Sequence, residues 1–102
     1  MYAELHPDAD SEFSESALFY ERRTAGLGGR FIQEIELGIN LVVSQPLIGG
    51  QLVDKFWCFV LDSFPFSLIY SVERDRIWIV AVSHHHRRPG YWRERLARQQ
   101  PE

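Results

Sequence analysis

The feature that most constrains this chain is a change of hydrophobic period near Gln51. Before it, apolar residues recur every three or four positions. Ala9, Phe13, Ala17 (or Ser16) and Tyr20 make one stripe, and Phe31, Ile35, Gly38 and Val42 make a second, widened by Ile32, Ile39 and Val43. Such spacing places side chains on one face of a helix. "HPDADSEF" supplies the start of the first helix, with Pro7 in the opening turn and Asp8, Asp10 and Glu12 near the positive end of its dipole. "TAGLGG" breaks it at Gly26, Gly28 and Gly29. The second helix then runs from about Leu27 to Ser44, and its broad stripe predicts burial on two sides. Pro46 and the Gly49–Gly50 pair end it.

After Gln51 the period is that of strands. "LVDKFWCFVL" is dense in β-branched and aromatic residues and reads as one strand. "FSLIYSVE" alternates, sending Phe66, Leu68, Tyr70 and Val72 one way and Ser67, Ile69, Ser71 and Glu73 the other. Arg74 and Asp75 form a tight turn, and "RIWIVAVS" returns. A brief strand, "YAEL", precedes the first helix and ends at His6. Helices and strands segregated in this way predict an α+β two-layer fold. An N-terminal strand and a helical hairpin pack on an antiparallel sheet in the order β-α-α-β-β-β, followed by a short C-terminal helix from "GYWRERLARQ".

A chain of 102 residues is expected to form a single domain, 1–102. A hydrophobic content of 45% is enough for one core rather than a disordered segment. Cys58 is the single cysteine and has no internal partner, which fits a reducing cytoplasm. The N-terminus lacks the apolar core of a signal peptide. The longest apolar runs, "FWCFVL" and "IWIVAV", are six residues each against the roughly twenty of a membrane helix. A cytoplasmic protein with no membrane association is expected.

Charge is uneven. Residues 1–51 carry eight acids and three bases, while residues 52–102 carry six acids and eight bases. Within residues 84–98, Arg87, Arg88, Arg93, Arg95 and Arg98 crowd together with only Glu94 to oppose them. A local basic patch engages phosphates or acidic protein surfaces even on a molecule of net charge -3.

The tail, "SHHHRRPGYWRER", concentrates chemistry. His84 and His86 are two apart at a strand end, so they can share a face while His85 points away. A metal needs three or four ligands, and no Cys, Asp or Glu lies at a suitable spacing, so no metal and no cofactor is expected. Histidine titrates near neutrality, which leaves an acid/base role open to His84 or His86. Arg87 and Arg88 are the best contacts for phosphate or an acidic partner, unless Glu73, Asp62 or Glu94 neutralises them. Tyr91 and Trp92 are expected to anchor the tail on the sheet. Trp57 and Trp78 read as core or sheet-face residues, and Glu34 and Glu36 as solvent-facing.

The whole arrangement resembles the RelE/ParE toxin superfamily of type II toxin–antitoxin systems, and within it the ParE-like branch. "HPDADSEFSESALFYERRTAGLGGRFIQEIELGI" is similar to the family's helical hairpin, and "FPFSLIYSVERDRIWIVAVSHHHRRPGYWRER" to its last strands and tail. The resemblance implies a toxin neutralised by a cognate antitoxin that wraps across it. ParE-like members inhibit DNA gyrase by binding; RelE-like members cut messenger RNA on the ribosome. If this chain were a nuclease, the resemblance points to Lys55, His84, His86, Arg87 and Tyr91. As a binding toxin it points to Arg87, Arg88, Tyr91 and Trp92 for target or partner contact. Related sequences carry arginines just before "FPF", where this chain has Asp62 and Ser63, and "SLIYSVE" has none. Cleavage depends on cations where charge develops on the phosphate, so the ParE-like reading is preferred. A member that binds antitoxin without being toxic is a third reading.

Overall fold

The protein is described by a computed structural model covering residues 1–98. Helix α1 (Pro7–Arg23) starts as its sequence requires, with Pro7 and Asp8 in the first turn and the ring of His6 as the cap. His6 Nδ1 accepts from the Asp8 backbone N–H at 2.9 Å, so one orphan donor of the helix is satisfied. Helix α2 (Leu27–Ser44) follows a turn in which Gly26 takes φ 88°. Having no capping side chain of its own, α2 borrows Glu21 from α1. That carboxylate accepts from the N–H groups of Gly26 (2.9 Å) and Gly28 (3.0 Å). The helices touch at Gly28, where an added Cβ would lie 2.5 Å from the carbonyl oxygen of Ala17.

The sheet has five strands in the order β1-β5-β4-β3-β2, with β1 spanning Tyr2–Leu5, β2 Gly50–Val53, β3 Phe56–Val60, β4 Phe66–Val72 and β5 Arg76–His84. Strand β1 lies parallel to β5, Ala3 opposite Ile77 and Leu5 opposite Ile79; the other pairings are antiparallel. This is the expected α+β fold with one refinement. The segment read as a single strand from Leu52 is a hairpin, because Asp54 adopts φ 53° and reverses the chain so that Gln51 pairs with Trp57. Aspartate is one of the few residues other than glycine that enters this region routinely. All four residues of β2 are exposed, making it an open sheet edge.

Helix α3 (Arg93–Arg98) closes the described chain. The expected helix extends to Gln99, which lies outside the described residues.

Two apolar clusters lie on opposite faces of the sheet. On the helical face Phe31, Ile35, Val42, Leu68, Tyr70, Ile77 and Ile79 are fully buried. Phe31 packs edge-on against Phe64 and at a tilt against Tyr20 and Phe66, with centroid distances of 5.2, 5.3 and 4.9 Å. On the other face Phe56, Ile69, Val80 and Ala81 pack beneath Trp92. The two faces are matched by a bulge in β5: Ile69 pairs with Ala81 but Tyr70 with Ile79, leaving Val80 as the extra residue. Val80 and Ala81 thus join the same cluster, and Val82 returns to the helical side.

Candidate functional site

Strand β1 pairs with β5 only as far as Ile79. Past that point the β5 edge is satisfied by side chains. Glu12 of α1 accepts from the Val82 N–H through Oε1 (3.0 Å), and Arg95 of α3 donates through Nη1 to the Val80 carbonyl (3.0 Å). Glu12 and Arg95 also bind each other, Nη1 to Oε1 at 3.0 Å and Nη2 to Oε2 at 2.9 Å. Arg95 Nε lies 3.7 Å from Asp8. The Tyr91 hydroxyl completes the group, donating to Glu12 Oε2 at 2.6 Å. Arg95 is only 7% exposed. Burial opposes its charge, but the hydrogen bonds and charge of Glu12 prevail and its pKa is raised. Burial, reinforced by Glu12, pushes the Tyr91 phenol up to about 12.

The tail between β5 and α3 turns tightly. The His85 N–H donates to Pro65 O (2.9 Å), the Arg87 N–H to His84 O (3.0 Å) and the Tyr91 N–H to Arg88 O (3.1 Å). Gly90 takes φ 76° to make the last bend, which directs Trp92 onto Phe56 with ring centroids 4.8 Å apart. The tail thereby walls a groove of about 620 Å³ on the sheet face away from the helical hairpin. Cys58 and Ile69 form its apolar floor with Ser67 and Ser83, while Leu52 and Val53 of the β2 edge face the tail across it. The charged residues that line it are Arg87, Arg88 and Arg93, with no carboxylate among them. Arg93 is paired with Asp54 at 2.9 Å. Arg87 lies over the Tyr91 ring, its Cζ 3.9 Å from the centroid. Among the described residues no ion pair involves Arg87 or Arg88; Glu73 is taken by Arg76 at 2.8 Å.

The structure brings His84, Arg87, Arg88, Tyr91 and Trp92 to this groove. Lys55 is not among its lining residues; it sits at the exposed β2–β3 turn with its ammonium 5.8 Å from the Phe56 ring. Asp62 and Ser63 lie elsewhere too, in a depression beside α2 with Leu37 and Gly38. There the Ser63 N–H donates to Glu34 at 2.8 Å, so Glu34 is a loop anchor rather than a purely solvent-facing acid. His84 and His86 do come together, with rings 4.9 Å apart, while His85 binds Ser67 Oγ at 3.0 Å. His84 Nδ1 accepts the His86 backbone N–H (3.0 Å), which leaves only Nε2 to carry a proton in the neutral ring. Burial and the neighbouring histidines lower its pKa. Among the described residues no cluster of three metal-ligating groups exists.

Glu12 and Arg95 were not singled out by sequence reasoning. The signal for Glu12 was present: at spacing three from Ala9 and four from Ser16, it lies on the inward stripe of α1, where an acid must find a partner.

Chemically, the groove has guanidiniums on one wall and no cation on its floor. Its one phenol is tied to a carboxylate. That arrangement suits the holding of an anionic, partly apolar surface. Among the described residues no helix is long and apolar enough to cross a membrane. Residues 3–89 match the family model described as ParE toxin of type II toxin–antitoxin system, parDE. No curated protein sequence matches the chain.

Proposed function

This chain belongs to the ParE toxin family of type II toxin–antitoxin systems, and from that premise we propose that it is a cytoplasmic toxin that inhibits DNA gyrase by binding it and does no nucleotide chemistry. The observation that carries the proposal is the groove with an apolar floor and an arginine wall. Arg87 and Arg88, without an ion pair among the described residues, meet acidic groups of the target, while Tyr91 and Trp92 hold the wall in place. Guanidinium forks recognise carboxylates bidentately, so an acidic protein surface with an apolar anchor is the matching partner. A cognate antitoxin neutralises the toxin. The open edge of β2 offers backbone groups for an added strand.

One observation favours a second reading. His84, Arg87 and Tyr91 line the same groove, as an endoribonuclease of the RelE type acting on ribosome-bound messenger would require. Against it stand the phenol held to Glu12 and the lack of lysine or arginine among the strand residues that line the groove. The deciding experiment adds the purified protein to a gyrase supercoiling assay and, separately, to a translating extract. Loss of supercoiling or DNA breaks with intact messenger is the expected result. Site-specific cuts in ribosome-bound messenger, with gyrase unaffected, reverse it. Inactivity in both assays alongside stable antitoxin binding indicates a non-toxic member.

A further inference from the structure

Arg87 reaches the groove from a turn closed by backbone hydrogen bonds and by the ring nitrogens of His84 and His85. Its side chain is held by a contact to Tyr91, with Cζ 3.9 Å from the ring centroid. Tyr91 carries a second guanidinium, since Arg95 Cζ lies 5.1 Å from the same centroid. Two like charges against one ring repel each other. One of them is neutralised: Arg95 is bidentate to Glu12. The same carboxylate accepts the Tyr91 hydroxyl and the Val82 N–H. Glu12 thus fixes the ring, cancels the inner cation and ties both to the free edge of β5.

We infer that Glu12, on the first helix, is a positioning residue for the tail: through Tyr91 and Arg95 it sets where Arg87 is presented and leaves Arg87 as the unneutralised cation on that ring. The functional part of this role rests on the reading that Arg87 contacts the target. Its physical part does not. Glu12 itself is nearly covered, its side chain 16% exposed; it is not among the residues lining the groove but borders a smaller cleft with Arg87 and Tyr91. Its effect on a partner seated in the groove is therefore exerted through other residues. A charge on an orienting group that never touches the ligand is the familiar way a binding constellation is held in register.

The test is made on the full chain with nitrogen-labelled arginine, reading the Arg87 side-chain resonances by NMR. In the wild type the Tyr91 ring current shifts them away from the positions of freely solvated arginine. Glu12→Gln keeps the size of the side chain but removes its charge, and is expected to abolish most of that displacement. It should also return the Tyr91 phenol from about 12 toward its ordinary value of 10.0, read by ultraviolet titration. Tyr91→Phe keeps the ring and leaves Glu12 and Arg95 paired, yet removes the hydroxyl anchor; it too is expected to lose the displacement. Should Glu12→Gln fail to fold, Tyr91→Phe decides the question alone. Arg87 resonances that stay displaced in a folded variant overturn the positioning role. Growth arrest on expression separates the two ideas. Arrest lost in Arg87→Ala but intact in folded Glu12→Gln sinks the positioning role and spares the contact reading. Arrest intact in Arg87→Ala sinks the contact reading, and the NMR result still decides the role of Glu12.

Discussion

Two neighbouring glycines in the first turn of α2 should respond to the same substitution with opposite signs. At Gly28 a Cβ would sit 2.5 Å from the Ala17 carbonyl oxygen and 2.8 Å from Glu21 Cβ. Even a short carbon–oxygen contact is about 3.3 Å, so Gly28→Ala must push α1 and α2 apart by most of an ångström. Overpacking of this kind costs about 1–3 kcal/mol. Because the obstacle is backbone, the upper half of that range applies. The gain in helix propensity over glycine offsets about 1 kcal/mol, leaving a net loss of roughly 1–2 kcal/mol. For a domain of this size each kcal/mol moves Tm by roughly 4–8 °C, so Gly28→Ala should melt roughly 5–15 °C lower. At Gly29 an added Cβ meets nothing within 4 Å, and Gly29→Ala should gain about 0.5–1 kcal/mol from propensity alone. Thermal melts followed by circular dichroism, supported by urea titration at 25 °C, read both. The close helix contact is refuted if Gly28→Ala melts at or above the wild type, or if the two variants move together.

Three other outcomes can be checked. Tyr91 has a folded pKa of about 12 against 10.0; a raised value means its contribution is fully present below pH 10 and lost as pH rises through 12. At about 1.4 kcal/mol per unit this amounts to roughly 2–3 kcal/mol, so urea stability of the wild type should fall more steeply than that of Tyr91→Phe over this window; parallel curves count against the buried Glu12 bond. A chelator should leave Tm unchanged, since the described residues hold no three-ligand cluster, and a stoichiometric metal retained by untagged protein contradicts this. Co-expression with the product of a flanking small gene should raise Tm, by about 2.7 kcal/mol of linkage when free partner is a hundredfold above its Kd; no complex with either neighbour's product argues against neutralisation by a cognate antitoxin.

Much of the fold was legible because its punctuation is chemical. Pro7, the acids of the first turn and the glycines after Thr24 mark α1 and α2 to within a residue. The β2–β3 hairpin was hidden because its turn uses Asp54 and Lys55, with no glycine or proline to break an apolar run. The slip at Val80 was hidden for a related reason: a bulge changes which face a residue takes without changing composition. Within the candidate site, His84, Arg87, Arg88, Tyr91 and Trp92 are close in sequence and arrive together through one turn. Lys55, assigned through the resemblance, is placed outside the groove by a hairpin the sequence did not reveal. The inward position of Glu12 was visible in the stripe of α1, but its pairing with Arg95, 83 positions away, depends on a tertiary closure that no local pattern encodes.

That closure has a consequence for how the protein comes into being. Glu12 waits for residues 70, 79 and 83 positions further on, and Glu4 of the first strand for Arg76, 72 positions away. At about 5–20 residues per second, the ribosome needs roughly 4–16 s to make the chain from Glu12 to Arg95. During that interval α1 and α2 exist without the strand they will cover, and the arginine wall has nothing to lean on. Loops this long also close slowly. Until Arg95 has been made, the chain can form neither the Glu12 cluster nor the arginine wall it supports, so the groove is among the last features of the fold to appear.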